Sequence, residues 1–374
     1  MTRVLVVGGG IAGTAVALAV AKAGFDVSVY EAHPDSGADI GAFLTLADNG
    51  MRALAQIDAA EAVAGRGFPL TAMSVLDHTG AEIASVPLGG HDHPLTNYRC
   101  LRRAELGDVL RSEVQRRSIP IRHGARLASL TEDGHGVTLR FTDGSTATGA
   151  IAVGADGLNS TTRRLVDPAA AGPRYAGQHV WYGYTTAARP PTAPERITMI
   201  RGSASAFGYC VSPAGETFWF ARTSAPEPLS AEEIGASTDR LLPLLQPDAT
   251  PAHDIVAATG DQLMVTDASD LTPGIRWHTA ATVLVGDAAH AASPATGQGA
   301  SMALEDAVVL AKALRDVPGD ALRSYDRLRR PRVERNIMAS AAATAGRPTG
   351  NDRRRSHVDD ELPGLLDWRT QITA

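Results

Sequence analysis

Three glycines near the start of the chain constrain its fold more than any other feature. Gly8, Gly10 and Gly13 lie between the apolar run VLVV (4–7) and the apolar stretch IAGTAVALAVAKAG (11–24). The run predicts a buried strand, and the stretch predicts a helix. In such a strand–turn–helix unit, Gly8 makes the tight turn, Gly10 lets the backbone approach a ligand, and Gly13 lets the helix pack closely on the sheet.

An acidic residue after the next predicted strand completes this pattern. The run VSVYE ends at Glu31, where a carboxylate can accept hydrogen bonds from an adenosine ribose. Free N–H groups and the helix dipole at the start of the first helix favour a pyrophosphate. The segment from Gly8 to Gly13, with Ile11 and Ala12 inside it, is therefore predicted to bind a dinucleotide together with Glu31. This motif alone does not choose between NAD and FAD.

A second glycine-rich segment, GDAAHAASPATGQGASMALEDA (286–307), makes that choice. It follows the apolar run ATVLV, so Asp287 comes at the end of a predicted buried strand and can bond a sugar-like hydroxyl. Gly297 and Gly299 then lead into another helix, whose N-terminus can stabilise negative charge on a bound ring. NAD needs nothing of this kind so far downstream, so we expect FAD, held where the two glycine segments meet in space.

Composition narrows the remaining possibilities. The chain has 374 residues, 44% hydrophobic and 20% charged, with a net charge of −6. These values are ordinary for a globular protein and argue against nucleic-acid binding. Two cysteines cannot build a disulfide framework, and no segment predicts a membrane span or a signal peptide. We therefore expect a cytoplasmic protein that acts on a small molecule, without membrane or nucleic-acid partners, as a monomer or homodimer.

The pattern of predicted elements indicates two interleaved domains. Between about 177 and 274 the chain carries alternating, aromatic-rich strands, then an amphipathic helix (231–245) and two short strands, whereas buried strands and helices flank this region. The fold class is α/β: a Rossmann-type, glutathione reductase-like domain with an inserted β-sheet domain and C-terminal helices, the last broken near Pro331. The predicted boundaries are 1–73, 97–176 and 275–345 for the nucleotide-binding domain, 74–96 and 177–274 for the β-rich substrate domain, and 346–374 for a loosely packed polar tail that contains Arg353–Arg355.

Four motifs together resemble the group A flavoprotein monooxygenases, the para-hydroxybenzoate hydroxylase type. Besides GxGxxG with its acid, they are GADGLNSTTR (154–163), GDAAHAASPATGQG (286–299) and the Arg-x-x-Leu within RRAEL (102–106). The resemblance covers roughly residues 1–345 and is greatest to the shorter branch of salicylate-type, tetracycline-inactivating and epoxidising enzymes.

The resemblance implies specific cofactor contacts along the chain. The ADP half of the cofactor is held by the first glycine segment and Glu31. Asp156 belongs to a loop that is linked in the family to both FAD and the nicotinamide donor, and Arg163 supports that loop. The remaining implied FAD contacts are Arg103 along the ribityl–pyrophosphate stretch, Asp156 in that loop, Asp287 at the ribityl and pyrophosphate, Pro294 near the flavin face, and Gly297, Gln298 and Gly299 at the pyrimidine edge.

The resemblance also implies the reaction. NAD(P)H binds transiently and reduces the flavin, O₂ gives a C4a-hydroperoxide, and one oxygen atom passes to an electron-rich substrate. The cofactor does the chemistry. We therefore expect no metal site and no catalytic side chain, and we interpret His290 as a structural residue at a helix entry. The predicted substrate is an aromatic or polycyclic small molecule that becomes hydroxylated.

Substrate contacts are predicted from strand alternation in the inserted sheet. Residues on the face toward the flavin are expected to be Phe207, Tyr209, Phe218, Phe220 and Arg222, with Tyr182 and Tyr184 sharing one face of their own strand. Arg222 stands among apolar neighbours and could pair with a substrate enolate or phenolate. Phe43 and Leu44 are predicted to lie in a loop that borders the flavin, and Pro294 is predicted to contact substrate as well.

Several other functions remain open from the sequence. Epoxidation and Baeyer–Villiger-like insertion are the runners-up, and a non-catalytic protein that sequesters flavin or ligand is a third reading. A flavin-dependent halogenase needs a lysine beside a tunnel from the flavin, and the only lysines, Lys22 and Lys312, are on helices where neither is placed for that. An NAD-dependent dehydrogenase does not explain the second glycine segment.

Overall fold

The computed structural model describes residues 2–34, 42–89, 93–230, 238–260, 263–347 and 360–373. The strands, in chain order, are β1 (Arg3–Val7), β2 (Asp26–Tyr30), β3 (Phe43–Leu46), β4 (Phe68–Leu70), β5 (Ala72–Asp77), β6 (Glu82–Pro87), β7 (Tyr98–Arg102), β8 (Ile121–Arg122), β9 (Leu127–Asp133), β10 (Gly136–Phe141), β11 (Thr146–Gly149), β12 (Ile151–Gly154), β13 (Arg174–Thr185), β14 (Arg196–Arg201), β15 (Ser205–Val211), β16 (Thr217–Ser224), β17 (Leu263–Asp270) and β18 (Thr282–Leu284).

The helices of the described residues fall into two long ones near the C-terminus and nine shorter ones. They are α1 (Ile11–Lys22), α2 (Asp48–Gln56), α3 (Ala60–Ala64), α4 (Arg103–Arg116), α5 (Thr161–Val166), α6 (Leu242–Leu245), α7 (Ala252–Ala257), α8 (Asp287–His290), α9 (Gly299–Asp316), α10 (Ala321–Thr344) and α11 (Leu362–Leu366). Of these described helices, none is long and apolar enough to cross a membrane.

A five-stranded parallel sheet, in the order β18-β12-β1-β2-β8, is one of the two large sheets of the described residues. Its strands are continuous apolar runs because both faces are covered. Val4 and Val6 pack in a core with α1 and α9, whereas Leu5 and Val7 pack against Phe141 and the antiparallel sheet β11-β10-β9. The predicted α/β fold with a Rossmann-type domain is thus confirmed.

The other large sheet has seven strands in the order β17-β13-β16-β15-β14-β5-β6. Its outer face carries Trp181, Phe207 and Trp219 and is covered by α6 and α7. Its inner face meets the small sheet β3-β7-β4, where Phe43 and Cys100 pack against it. The pairing of β5 with β14 brings the 72–87 hairpin into this sheet.

Three predicted elements differ in the structure. The helix predicted over 231–245 is represented in the described residues by a 3₁₀ turn (Thr238–Arg240) and α6, and residues 231–237 lie outside them. Instead of two short strands, α7 and the single strand β17 follow. The helix predicted to break near Pro331 continues through it, because ion pairs from Arg329 and Arg332 to buried Glu305 fix it on both sides.

The end of the chain is packed rather than loose. Lys312 on α9 is fully buried, and its Nζ donates to the carbonyls of Leu365 and Asp367 at 2.5 Å each. Trp368 N donates to Gln56 Oε1 at 2.9 Å. These bonds hold residues 360–373 against α9 and the end of α2, so the predicted loose packing of the tail is wrong there. The Arg353–Arg355 run lies outside the described residues.

Candidate active site

Three chain segments that matter for binding leave the parallel sheet side by side. Gly8, Asp156 and Asp287 lie in the loops that follow the adjacent strands β1, β12 and β18, and parallel strands present their carboxyl ends at the same edge. Gly8 has φ +104° and stands so close to the next loop that a Cβ would be 2.4 Å from Ala155 O. Only glycine fits there, as the turn argument predicts.

The two glycine segments are in direct contact. A Cβ on Gly286 would be 2.9 Å from the Cβ of Ala12, and 3.3 Å from that of Ala303. In the first segment, a Cβ on Gly13 would be 1.9 Å from Gly8 O, which is why the first helix can begin immediately above the strand. The prediction that the segments meet in space is confirmed.

Two helix N-termini open onto this edge. Gly10 precedes α1 and Gln298 precedes α9, and no side chain of the described residues caps either helix. A Cβ on Gly10 or Gly299 would meet nothing within 4 Å. Unpaired N–H groups beside open space are what a diphosphate or a ring carrying negative charge requires.

Glu31 is held in place by backbone donors. Its Oε2 accepts from Gly9 N at 2.5 Å, and its Oε1 accepts from His33 N at 2.8 Å. Each carboxylate oxygen keeps a further lone pair for a ligand hydroxyl. The acid therefore lies directly after β2 with lone pairs that remain free for a ligand hydroxyl.

Asp156 and Asp287 differ sharply in what they bond. Asp156 Oδ1 accepts from Ser160 Oγ at 2.5 Å, and its Oδ2 accepts from Thr162 N at 2.9 Å. Buried Arg163 donates to Leu158 O and Ala288 O, which agrees with its predicted role in holding this loop. The half-buried carboxylate of Asp287, by contrast, has no hydrogen-bond partner among the described residues. Asp156 organises its own loop, whereas Asp287 is available to a ligand.

The 294–299 loop forms the other end of the cleft. Pro294 begins a 3₁₀ turn, Gly297 has φ +65°, and both are exposed together with Gly299. Gln298 Oε1 accepts from Asn49 Nδ2 at 3.1 Å. Sequence reasoning missed Asn49, because the bond joins positions far apart in the chain and no local pattern signals it.

A buried charge network lies behind both glycine segments. Asp306 accepts from Gly286 N at 2.9 Å, from His290 Nε2 at 2.5 Å and from Arg329 Nε at 2.8 Å. Burial alone raises the pKa of Asp306, but His290 and Arg329 outweigh it and hold the pKa well below the usual range. His290 is thus tied into the scaffold, in agreement with a structural role.

The inner face of the large sheet forms an aromatic wall. Phe43 contacts Phe218 at 5.7 Å, Phe220 at 6.1 Å, and Tyr182 and Tyr184 at 6.4 and 6.3 Å between ring centroids. Phe43 and Leu44 belong to β3 rather than to the predicted loop, because the segment pairs with β7.

The prediction that five residues of β15 and β16 share one face is wrong. Phe207 pairs with Ala221 and Tyr209 with Trp219, so these residues lie on the outer face. Phe207 stacks on Trp219 at 5.6 Å there, and Tyr209 donates to Pro191 O. Only the even-numbered residues Phe218, Phe220 and Arg222 lie on the inner face, because antiparallel partners share a face.

Arg222 is the unusual residue of this wall. Its Nη1 is buried and has no hydrogen-bond partner among the described residues. Burial lowers the pKa of Arg222, and burial also raises the pKa of neighbouring Tyr182. A desolvated guanidinium without a carboxylate costs free energy unless a ligand supplies an acceptor.

The neighbouring residues Arg102 and Arg103 differ in their contacts. Arg102 is bound to Glu216 at 2.8 Å and lies 4.5 Å from the ring centroid of Tyr184. Arg103, the first residue of α4, is exposed, and its charge reaches Tyr182, whose pKa it lowers in opposition to burial. Arg102 therefore joins the sheets, whereas Arg103 has an accessible guanidinium at the cleft.

Both lysines are engaged away from the cleft. Lys22 donates to Gln56 O and to Asp58, and Lys312 holds the C-terminal segment. Neither stands where a halogenase would need one.

Comparisons with known proteins agree with this geometry. The model of the FAD binding domain family matches residues 1–340. The chain is 33% identical over 348 residues to 3-amino-4-hydroxybenzoate 2-monooxygenase of Streptomyces platensis, covering 88% of this chain and 85% of that one. It is 31% identical over 315 residues to aurachin C monooxygenase/isomerase of Stigmatella aurantiaca, covering 83% and 80%. Klebsiella pneumoniae HpxO, solved with FAD and uric acid, superposes with a TM-score of 0.82 at 26% identity, covering 98% of this chain and 96% of that one.

Proposed function

The chain belongs to the FAD binding domain family and is an FAD-dependent monooxygenase with NAD(P)H as co-substrate; from that premise we propose that it hydroxylates an aromatic small molecule bound with an ionised oxygen, a phenolate or enolate, against Arg222. The observation that carries this proposal is the buried, unpartnered Nη1 of Arg222 on the aromatic inner face.

The proposed binding of FAD follows the open and unpaired groups of the cleft. The N-terminus of α1 takes the pyrophosphate, Glu31 takes the adenosine ribose, and Asp287 takes a hydroxyl of the ribityl chain. The N-terminus of α9, with Pro294 and Gln298, borders the ring, and Arg103 lies along the middle of the cofactor. When bound, FAD accepts electrons from NAD(P)H and activates O₂ for transfer of one oxygen atom.

The side chains of this enzyme contribute position, charge and exclusion of water. The partly buried rings of Phe220 and Tyr182, backed by buried Phe43, give this wall a flat apolar surface for a planar ring and remove water from the place where oxygen is transferred. The Arg222 charge stabilises the ionised hydroxyl of the substrate, and ionisation makes the ring more electron-rich. A charge-assisted hydrogen bond in this desolvated site also fixes which ring carbon is presented.

The relatives support a compact planar substrate. One relative is named for 3-amino-4-hydroxybenzoate, and the HpxO structure contains uric acid; both molecules are small, planar and acidic. We propose a cytoplasmic enzyme, supported by a sequence that has only two cysteines, Cys100 and Cys210, too few for a disulfide framework. We propose that it works as a monomer or homodimer.

Stopped-flow NAD(P)H oxidation with matched ligand pairs tests this function. Each phenol or enol in the panel is compared with its methyl ether, which keeps the ring and the oxygen atom but cannot ionise, and with the analogue that lacks the hydroxyl group, which adds no volume. The proposal predicts that the acidic member stimulates oxidation and gains one oxygen atom by product mass. Equal stimulation by the ethers would overturn the role of Arg222. Oxygen insertion into an alkene or ketone would show epoxidation or Baeyer–Villiger chemistry, and bound FAD without stimulated oxidation would indicate a sequestering protein.

A further inference from the structure

Asn49 joins the loop at the ring end of the cleft to the buried charge network. The side chain is buried, and its Nδ2 lies 3.1 Å from Gln298 Oε1 and 2.6 Å from Glu305 Oε1. One amide nitrogen carries two protons, so both are used.

Charge fixes the orientation of this amide. Glu305 is buried and forms ion pairs with Arg329 at 2.5 Å and Arg332 at 2.9 Å. Burial raises the pKa of Glu305, but the two arginines outweigh it and keep the pKa below the usual range, so the carboxylate only accepts hydrogen bonds. Asn49 must therefore present its NH₂ group to Glu305, and the second proton of that group meets Gln298.

The orientation of Gln298 follows from that of Asn49. Facing a donor, Gln298 must present its carbonyl oxygen to α2, so its own NH₂ group is directed away from Asn49. Among the described residues, this nitrogen has no hydrogen-bond partner. Gln298 also immediately precedes α9, whose N-terminus opens onto the cleft.

The two helices leave little freedom for another arrangement. A Cβ on Gly50 would be 2.6 Å from Ser301 Oγ, so α2 and α9 approach very closely beside Asn49. Ser301 Oγ also accepts from Ala47 N at 3.2 Å. The carboxylate, the asparagine amide and the glutamine amide are thus held in series by rigid elements.

We propose that Asn49 is a positioning residue in a hydrogen-bond relay from Glu305 through Asn49 to Gln298. Because Glu305 fixes the orientation of the Asn49 amide, Asn49 makes Gln298 present a hydrogen-bond donor rather than an acceptor to the flavin ring. The inference rests on the placement of the ring beside Gln298 in the proposed function. A donor there stabilises the electron-rich reduced ring more than the oxidised ring, and so raises the reduction potential.

The test compares Asn49→Ser and Asn49→Ala with Gln298→Ala in the FAD-loaded protein. Serine has a single hydroxyl proton on a shorter side chain, so it cannot donate to Glu305 and Gln298 at the same time, and alanine donates to neither. We expect Asn49→Ser to bind reduced FAD up to about tenfold less tightly relative to oxidised FAD, which lowers the two-electron potential by up to about 30 mV. The serine variant should not lower the potential further in a Gln298→Ala background.

Asn336→Ala is the matched control. Asn336 accepts from Thr296 Oγ1 in the same loop at 2.9 Å, and no hydrogen bond of the described residues joins it to Gln298. A potential lowered equally by Asn336→Ala would show that loop order, not amide orientation, is responsible, and would overturn the relay. If Gln298→Ala shifts the potential and neither Asn49 variant does, the relay alone is wrong. An unchanged potential in Gln298→Ala would overturn the placement of the ring as well.

Discussion

Gly286 lies directly against Ala12, although the two residues come from opposite parts of the chain. A Cβ on Gly286 would approach the Ala12 Cβ to 2.9 Å. Gly286 also has φ 56° and ψ −144°, a combination of backbone angles that residues other than glycine rarely adopt. The backbone N–H of Gly286 is bound to Asp306. The contact brings the helix after β1 and the loop after β18 to the same edge of the sheet, and it leaves no freedom for a larger residue.

Gly286→Ala is therefore expected to disturb both glycine segments. Backbone strain and the clash with Ala12 should lower the free energy of unfolding by about 2 kcal/mol and weaken FAD binding. Chemical denaturation and flavin titration measure the two effects. Gly319→Ala is the control, because a Cβ there meets nothing within 4 Å. Equal effects of the two substitutions would contradict the close contact.

The two aspartates of the cleft should separate binding from folding. Asp287→Ala removes a carboxylate without a partner among the described residues, so FAD affinity should fall by about ten- to a hundredfold while the stability of the FAD-free protein is unchanged. Asp156→Ala removes the acceptor for Ser160 and Thr162, so it should lower that stability by about 1–2 kcal/mol. Flavin retention measures the loss of FAD binding, and thermal melting of the FAD-free proteins measures the loss of stability. An unaltered flavin stoichiometry in Asp287→Ala would contradict the proposed contact between Asp287 and FAD.

The parts of the site that were predictable are those in which local backbone geometry demands a residue type. Gly8 and Gly13 must be glycine because a Cβ would overlap neighbouring backbone atoms, and that requirement is visible in the spacing itself. Strand alternation likewise predicts that Phe218 and Phe220 share a face. What alternation cannot give is how one strand is paired with the next.

Register explains why Phe207 and Tyr209 were misplaced. The loop between Ser212 and Glu216 contains three residues, which pairs odd positions of β15 with odd positions of β16. A one-residue change in that loop would have moved both aromatics to the inner face. Asn49 was missed for a related reason: its partners Gln298 and Glu305 are distant in sequence, and only the packing of α2 on α9 makes it part of the site.

The two faces of the large sheet should respond differently to the same substitution. Phe220→Leu changes the aromatic wall, so it should raise KM for the substrate more than it changes stability. Phe207→Leu removes a ring that is fully buried against Trp219, so it should cost about 1–2 kcal/mol of stability and leave KM unaltered. Steady-state kinetics and denaturation of both variants distinguish them. A KM effect from Phe207→Leu would place the substrate on the outer face.

Arg222→Met should weaken substrate binding without weakening the fold. The substitution replaces a buried guanidinium group that has an unpartnered nitrogen by an apolar chain, so the free energy of unfolding should stay equal or rise. KM for an acidic substrate should increase by about ten- to a hundredfold, the effect of a lost charge-assisted hydrogen bond. Exposed Arg140→Met, on β10, is the control. Lower stability with unchanged KM would show that Arg222 serves the fold instead.

Docking of the C-terminal segment should make stability depend on pH. Burial under this segment lowers the pKa of Lys312 from 10.5 to about 8; Arg315 adds to the effect, and Asp316 and Asp367 oppose it. The unfolded chain therefore holds more protons than the native protein between these values, and stability contributed by Lys312 increases as pH rises through that window. Relative to Lys312→Met, the wild-type protein should gain about 1 kcal/mol between about pH 7.5 and about pH 9.5, less than the full shift because the segment can open locally. Denaturant unfolding of both proteins at the two pH values measures this difference. A constant difference would show that the Lys312 ammonium group is not desolvated by the segment.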